Sequence, residues 1–175
     1  MALRLFLDEG GAALTPTRLH KETGVARATI YRNWPEAADL IEIMLGHATE
    51  QHPQDLFVGE LAHDLQAAVD LLIDRFTHRP ARAFFAACVE YGRHSERVAA
   101  AATAYVDGIL EPFHRVMRRA IDEGLVTGDE DDLVHEIAGP LILEHVVLGR
   151  RVTRTRGQAL VSRFVAYHGG GEEPD

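Results

Sequence analysis

Cysteine is nearly absent from this 175-residue sequence, in which Cys88 is the single example. No disulfide can form within the chain, which excludes the disulfide-stapled secreted domains and fits a reducing compartment. Long apolar runs are also missing, because no stretch approaches the roughly 20 apolar residues of a membrane-spanning helix. Nor does a basic segment followed by an apolar one indicate a secretory signal. These absences predict a cytoplasmic protein with no membrane partner.

Positive charge is scarce overall, with 18 lysines and arginines against 27 aspartates and glutamates and a formal net charge of −9. Such a balance argues at first sight against nucleic acid as a partner. The distribution differs, because residues 16–34 contain four basic residues and one acidic residue: Arg18, Lys21, Arg27, Arg32 and Glu22. This local basic patch predicts weak non-specific DNA binding that relies on a dimer for affinity. A solvated charged face is the alternative interpretation of the same charges.

Strand-like alternation is absent as well, and segments rich in Ala, Leu, Glu and Arg run between short breaks at glycine and proline. The sequence therefore predicts an all-α fold. The predicted helices cover residues 2–9, 16–23, 26–34, a fourth helix from 35, and then 60–78, 81–93, 95–123, 129–152 and 156–168. Pro112 predicts a kink or a break within its helix. In the fourth helix, the predicted common face consists of Leu40, Ile43, Met44 and Ala48.

A helix-turn-helix is indicated by residues 15–40, where two predicted helices flank the tight turn Thr23-Gly24-Val25. Glycine allows a positive φ in this turn, and Val25 is expected to plug it from beneath. A small core is expected from Leu3, Phe6, Leu19, Val25, Ile30 and Trp34. The other face of the second helix exposes Arg27, Ala28, Thr29 and Arg32, flanked by Tyr31 and Asn33. Small side chains allow close approach to base edges, arginine pairs with guanine or phosphate, and hydroxyls suit phosphate oxygens.

Residues 3–40 resemble the DNA-binding domain of the tetracycline-repressor (TetR) family of transcriptional regulators. The resemblance rests on the helix end Leu5-Phe6-Leu7-Asp8-Glu9-Gly10, the turn Thr23-Gly24-Val25, and the run Ala28-Thr29-Ile30-Tyr31-Arg32-Asn33-Trp34-Pro35 followed by Leu40. It implies that the helix from Ala26 is a recognition helix, which enters the major groove from each half of a dimer. The DNA-binding residues that it implies are Thr17, Arg27, Ala28, Thr29, Tyr31, Arg32 and Asn33.

Four positions depart from the family pattern. Ala26 replaces the usual serine, so the recognition helix lacks a side-chain N-cap that stabilises it by roughly 1 kcal/mol. Asn33 stands where histidine is common, and Ala37 stands where a phosphate-binding lysine is frequent. Met1 falls within the first helix, and we therefore expect the native start to lie upstream.

The resemblance implies a homodimeric regulator of double-stranded operator DNA, with a repressor that a small-molecule ligand releases as the expected form. Activators and ligand-requiring repressors share the fold, so the sign of the response stays open. Residues 1–46 are the expected helix-turn-helix domain, residues 47–168 the expected ligand-binding and dimerisation domain, and residues 169–175 a disordered tail. No cofactor is implied. An apolar effector is expected, since no buried charge is evident in the central helices.

Two residue sets are candidates for the functions of the larger domain. Apolar and aromatic residues of the central helices form the candidate ligand-binding set: Phe84, Phe85, Cys88, Tyr91, Tyr105, Ile109, Phe113, His114 and Met117. Stripes on the last two helices form the candidate dimer interface: Leu141, His145, Leu148, Leu160, Phe164 and Tyr167. For both sets, ordinary packing within one chain is the open alternative.

Two other function classes fit parts of the sequence. A helical interaction protein of the same fold that has lost DNA binding would account for the shortened first helix and for Ala37. A di-iron enzyme is suggested by Glu60-x-x-His63 and Glu111-x-x-His114, with Glu90 and Glu144 on other helices. Such pairs arise by chance in a chain with ten histidines, and their order does not match that ligand set. The sequence therefore predicts no metal site and no catalytic residue.

Overall fold

The computed structural model describes residues 1–48, 58–78 and 81–169, which contain helices and no strand. The all-α prediction is therefore confirmed. In chain order the helices are α1 (Ala2–Glu9), α2 (Pro16–Thr23), α3 (Arg27–Asn33), α4 (Ala37–Ala48), α5 (Leu61–His78), α6 (Ala81–Gly92), α7 (Glu96–Asp122), α8 (Glu130–Ile142) and α9 (Arg154–His168). A 3₁₀ turn, Gly11–Ala13, follows α1, and a π-helical turn, Leu143–Val147, continues α8. No helix of the described ranges is long and apolar enough to cross a membrane.

Side-chain caps explain where three of these helices begin. The Thr15 hydroxyl accepts the backbone N–H of Arg18 at 3.3 Å, and Pro16 occupies the first helical position, as the sequence predicts. Asp129 accepts two backbone N–H groups at the start of α8, and Thr153 accepts one at the start of α9. Each cap satisfies an amide that has no partner within its own helix.

Helix α7 runs without interruption from Glu96 to Asp122, so Pro112 does not break it, and the kink predicted as the alternative stays a prediction. Proline removes one backbone donor. The residues that follow it, Phe113, Val116 and Met117, are buried, and burial of this face stabilises the helix through the proline. At α8 the prediction of one helix over 129–152 is wrong, since α8 ends at Ile142 and gives way to the π-helical turn.

Two compact units organise the chain, the first comprising Met1–Glu50 with Pro80–Gly108 and the second Gln51–Arg79 with Ile109–Asp175. The first unit thus contains α6 and the first half of α7 beside α1 to α4. The sequence did not indicate this arrangement. The predicted boundary between residues 46 and 47 stays a prediction, and the predicted tail beyond Gly169 lies outside the described residues.

The core of the first unit is formed by residues of α1 to α4 together with α6 and α7. Its deeply buried large side chains include Phe6, Leu14, Ile30, Ile41, Leu45, Val98 and Tyr105. The predicted face of α4 is wrong, because Ile41 and Leu45 are buried whereas Ile43 is 43% exposed. Leu3 and Val25, both expected in this core, are exposed at the surface.

In the second unit, α5 packs closely along α9. The contact centres on Gly157, where a Cβ atom would lie only 2.4 Å from Val69 Cγ1 and 3.2 Å from Ile73 Cδ1. Glycine is thus the residue that allows the two helices to approach this closely. Buried side chains of Leu65, Leu160 and Phe164 belong to the same core.

Candidate nucleic-acid interface

The turn between α2 and α3 is fixed by a small network of hydrogen bonds. Gly24 ends α2 in the left-handed conformation at φ 73°, as the sequence predicts. The Thr23 hydroxyl donates to the Leu19 carbonyl at 2.6 Å and accepts the Val25 N–H at 3.2 Å. Nδ1 of His20 lies 2.8 Å from the Val25 carbonyl oxygen. These bonds, rather than an apolar plug at Val25, hold α3 at a set angle to α2.

Helix α3 buries one residue and presents most of the others to solvent. Ile30 is buried and anchors the helix, and Thr29 is half-buried. The exposed members of the predicted DNA-binding set are Thr17, Arg27, Ala28, Tyr31, Arg32 and Asn33. The structure therefore brings most of the set to the surface of one helix, a precondition for insertion into a groove.

Two local features modify this surface. No side chain caps the start of α3, where Ala26 is the N-cap residue, so the first amides of the helix remain available to an anion. Asn33 donates from Nδ2 to the Thr29 carbonyl oxygen at 2.9 Å. Its amide group is thus already engaged within α3.

The basic patch is partly neutralised within the first unit. Arg18 forms a two-pronged ion pair with Glu9, with Nη1 2.9 Å from Oε2 and a second bond from Nη2 to Oε1. Because both carboxylate oxygens are used, the Arg18 guanidinium is oriented towards α1. Lys21, Arg27 and Arg32 remain exposed on the two helices of the motif.

The candidate ligand-binding residues of the first unit form an aromatic cluster. Ring centroids of Phe84 and Tyr105 lie 5.5 Å apart, and those of Phe85 and Tyr105 lie 5.8 Å apart. The ring of Phe84 also packs against Phe6 of α1, with the two ring centroids 5.3 Å apart. Burial raises the pKa of the Cys88 thiol to about 11. Burial also raises the pKa of Tyr91, whose ring rests against Gly11.

The remaining candidates lie on the second half of α7, in the second unit. Ile109, Phe113 and Met117 are buried, as core residues or as residues around a ligand would be. His114 is half-buried, and its Nδ1 lies 2.9 Å from Oε1 of Glu130. Arg118 hydrogen-bonds the same carboxylate and, together with His114, lowers the pKa of Glu130 against the opposing effect of burial. No residue of this set is tested as a ligand contact, and the set stays a prediction.

The candidate dimer residues occupy different environments in the second unit. Leu141, Leu160 and Phe164 are buried within the single chain. His145 stacks on Phe76 with centroids 4.2 Å apart. Leu148 is 50% exposed and Tyr167 is 80% exposed. The predicted stripe therefore combines residues that pack inside the chain with residues that a partner can reach.

Sequence reasoning missed a buried carboxylate in the second unit. Asp64 is fully buried and accepts the backbone N–H groups of Val58 and Gly59 at 2.8 and 3.0 Å. Arg119 of α7 donates to the same carboxylate, and His63 lies 3.2 Å from it. Val58, Gly59 and His63 are near neighbours of Asp64 in the sequence, but Arg119 lies 55 residues away, and no local sequence pattern predicts that contact.

A cavity of about 350 Å³ also lies along α5 and was not expected. Its lining comprises His63, Gln66, Ala67, Asp70, Leu71 and Asp74, none of which belongs to the candidate ligand-binding set.

Two glutamates of the di-iron alternative form ion pairs with arginines. Glu111 pairs with Arg115, and Glu144 pairs with Arg156. In the described ranges no group of three or more His, Cys, Asp or Glu side chains is placed to hold a metal ion.

Comparison with known proteins gives one family match and several relatives. The family model for the tetracyclin repressor-like C-terminal domain matches residues 58–164, more than half of the chain. An uncharacterized HTH-type transcriptional regulator of Mycobacterium bovis is 26% identical over 167 residues, covering 94% of this chain and 82% of that protein. A DNA-binding transcriptional repressor named TetR from Mycobacteroides abscessus is 24% identical over 152 residues, covering 85% and 80%.

Solved structures show the same fold. A TetR transcriptional regulator from Agrobacterium tumefaciens superposes with a TM-score of 0.77 at 17% identity, covering 97% of this chain and 91% of that one. A second solved TetR-family transcription regulator gives a TM-score of 0.62 at 21% identity, covering 99% and 94%.

Proposed function

This chain belongs to the TetR family of DNA-binding transcriptional regulators, and from that premise we propose that it is a homodimeric repressor which a small molecule releases from operator DNA. The single observation that carries the proposal is the surface of α3. It combines two arginines, a tyrosine and a small residue on the exposed side of a helix held by a helix-turn-helix. The repressor sense is supported by the Mycobacteroides abscessus relative, which is named a repressor. We place the protein in the cytoplasm, with the DNA.

Contacts to DNA are assigned by side-chain chemistry. Arg27 and Arg32 pair with guanine or with phosphate, whereas Ala28 allows α3 to approach base edges. The Tyr31 and Thr17 hydroxyls donate to phosphate oxygens. Thr29 and Asn33 complete the surface, although the amide of Asn33 is already bonded within α3.

The homodimer is assigned to exposed faces of α8 and α9 that lie beside the predicted stripe. On the π-helical turn that continues α8, Leu143 is 51% exposed and Val147 is 66% exposed. One turn earlier, at Gly139, an added Cβ would have open space around it, because no atom of the described residues beyond its chain neighbours and its own helix backbone lies within 4 Å. On α9, the exposed residues Ala159, Ser162 and Ala166 are all small. Small residues allow the helices of a second copy to approach closely.

Charge at the two ends of α8 supports this assignment. Glu130, Asp131 and Asp132 form its first turn, whereas Arg150 and Arg151 follow its π-helical end. No acidic side chain in the described parts of the chain forms an ion pair with either arginine. A twofold axis across α8 sets two copies antiparallel, so that the acidic end of one faces the basic end of the other.

The ligand is proposed to bind among the aromatic and apolar residues of α6 and α7. The cluster of Phe84, Phe85 and Tyr105 supports an apolar ligand, because it offers ring surface and no buried charge. Ligand binding would favour a conformation in which the two recognition helices no longer match successive major grooves.

Two measurements test the proposal. Sedimentation of the full chain is expected to give a dimer, and the exposed-face variant Ala159→Arg a monomer. Ala86→Arg, on an exposed position of α6, is the matched control and should remain dimeric. Fluorescence anisotropy with duplexes from upstream of the gene should show binding that survives competitor DNA and weakens steeply with salt. A monomeric wild type, or the absence of specific binding to genomic fragments selected without bias, would contradict the proposal.

A further inference from the structure

We propose that Arg97 is a positioning residue for operator binding. Its side chain links α7 to the joint between recognition helix α3 and helix α4, which comprises residues 34–40, and so holds that joint in place. The inference rests on the proposed operator binding, and it concerns residues outside the surface that meets DNA. All of its contacts lie within the first compact unit.

The joint between α3 and α4 is held by one carboxylate. Helix α3 ends where the Trp34 N–H donates to the Ile30 carbonyl oxygen at 2.7 Å. Two residues later, the Glu36 N–H donates to Oδ2 of Asp39 at 2.9 Å. Asp39 lies in the first turn of α4, and it therefore ties the start of α4 to the connection that leaves the recognition helix.

The second oxygen of the same carboxylate faces α7. Nη2 of Arg97 lies 3.5 Å from Oδ1 of Asp39 and hydrogen-bonds Oε2 of Glu42. Asp39 and Glu42 are three residues apart and share one face of α4. One guanidinium thus contacts α4 at two points, and two contacts restrict rotation of α4 as well as its separation from α7.

Arg97 itself is held in a fixed place. It lies in the first turn of α7, where the Ser95 hydroxyl accepts the Val98 N–H at 3.3 Å and the Ser95 carbonyl accepts the Ala99 N–H at 2.9 Å. Just before this turn, Tyr91 of α6 presses against Gly11, where an added Cβ would lie 2.5 Å from the ring. The corner between α6 and α7 therefore contacts the N-terminal helices at two separate places.

Because the ion pairs of Arg97 are exposed to solvent, their loss should affect DNA binding more than it affects the stability of the fold. The Arg97 side chain is 67% exposed, and ion pairs this open to solvent contribute little to the stability of a fold. Reading DNA, by contrast, requires the side chains of α3 to be held within a fraction of an ångström of their productive geometry. Loss of Arg97 should therefore weaken specific binding while leaving the folded state intact.

The test compares operator affinity among variants of the full chain. The probe is a duplex that the wild-type protein selects from a random library, and affinity is measured by fluorescence anisotropy. Arg97→Ala should bind this duplex about 2- to 30-fold more weakly than the wild type, the range expected for coupling through positioning contacts. Arg97→Lys should recover part of the loss, since an ammonium can still pair with one of the two carboxylates.

Asp39→Asn gives the sharpest contrast. It removes a negative charge, so a purely electrostatic effect would strengthen DNA binding, whereas loss of the Arg97 contact should weaken it. The matched controls are Arg93→Ala and Asp107→Asn, which make the same charge changes at exposed positions of the first unit. The inference is overturned if Arg97→Ala and Arg93→Ala bind alike, or if Asp39→Asn binds more tightly than the wild type.

A measurement without DNA keeps this inference distinct from the proposed function. Hydrogen–deuterium exchange over residues 34–40 should be faster in Arg97→Ala than in the wild type and unchanged in Arg93→Ala. If the wild type binds no specific DNA, the proposed function fails, and the exchange result alone decides whether Arg97 holds the joint. Equal exchange in all three proteins would overturn the positioning role.

Discussion

Removal of the buried Asp64 carboxylate should be among the most destabilising single changes in the second unit. Its side chain is fully buried, and it accepts hydrogen bonds from two backbone amides and from Arg119. Hydrogen bonds to a charged group stabilise a protein by about 1.5–3 kcal/mol each. The summed energy of the three bonds overestimates the loss in stability. Val58 and Gly59 are exposed and Arg119 is 34% exposed, so water replaces part of each bond when the carboxylate is removed. We therefore expect Asp64→Ala to lower the free energy of unfolding by about 3 kcal/mol.

The effect should depend on pH in a defined direction. Burial raises the pKa of Asp64, but the hydrogen bonds from Val58, Arg119, His63 and Gly59 outweigh it, and the net pKa lies below the ordinary value of 3.8. The unfolded chain then binds more protons than the folded one between the two pKa values, so stability rises with pH there. The contribution of Asp64 is complete above the ordinary pKa and is lost as pH falls through the folded one.

Urea unfolding followed by circular dichroism measures both effects. At neutral pH, Asp64→Ala should shift the unfolding free energy by about 3 kcal/mol, and the difference from the wild type should shrink as the pH falls below about 4. The control Asp70→Ala, whose carboxylate accepts a bond from Gln66 and from no other residue of the described ranges, should change it by less than about 1 kcal/mol. A loss for Asp64→Ala as small as that of the control, or one that persists undiminished in acid, would refute the reasoning.

Three further predictions concern Gly157, Cys88 and the ion pair of Glu9 with Arg18. Gly157→Ala should lower the melting temperature, because the new Cβ would lie 2.4 Å from Val69 Cγ1. Such overpacking costs about 1–3 kcal/mol of stability. A raised melting temperature would contradict the close packing of α5 against α9. Native Cys88 should react with iodoacetamide at pH 8 about 10- to 100-fold more slowly than in urea, since its pKa is raised to about 11. Equal rates by mass spectrometry would show an accessible thiolate. Glu9→Gln should release Arg18 to phosphate and steepen the slope of log affinity against log salt by about 0.9 per added contact; an unchanged slope would mean that Arg18 stays away from DNA.

Local chemistry made the helix-turn-helix predictable. Thr15 and Pro16 start α2, and Gly24 ends it, because each residue type has a specific effect on the backbone at a helix terminus. The exposed side of α3 followed from its spacing relative to Ile30. These features depend on neighbours in sequence, so the sequence alone contains the information.

Two features of the fold could not be predicted from the sequence: the buried face of α4 and the end of α8. Apolar residues occur on several sides of α4 itself, among them Leu40, Ile41, Ile43 and Leu45. Helical periodicity therefore could not select the buried face. The π-helical turn after Ile142 is a shift of hydrogen-bond register that leaves no pattern of composition.

The proposed dimer surface differs from the predicted stripe on the last two helices, which stays a prediction. Large apolar residues such as Leu160 and Phe164 were assigned to it, whereas they fill the core of their own chain. The stripe of α9 proposed here consists of the small exposed residues Ala159, Ser162 and Ala166, which carry little hydrophobic signal.

The central claim is that the exposed surface of α3 binds DNA, and the most direct test is anisotropy of the Arg27→Ala/Tyr31→Ala variant on the selected duplex. The account predicts at least about a 30-fold loss of specific affinity, since each lost contact costs roughly 1–3 kcal/mol. Arg82→Ala, an exposed charge on α6, should bind as the wild type does. Equal affinity of the double variant and the wild type would contradict the claim that α3 reads DNA.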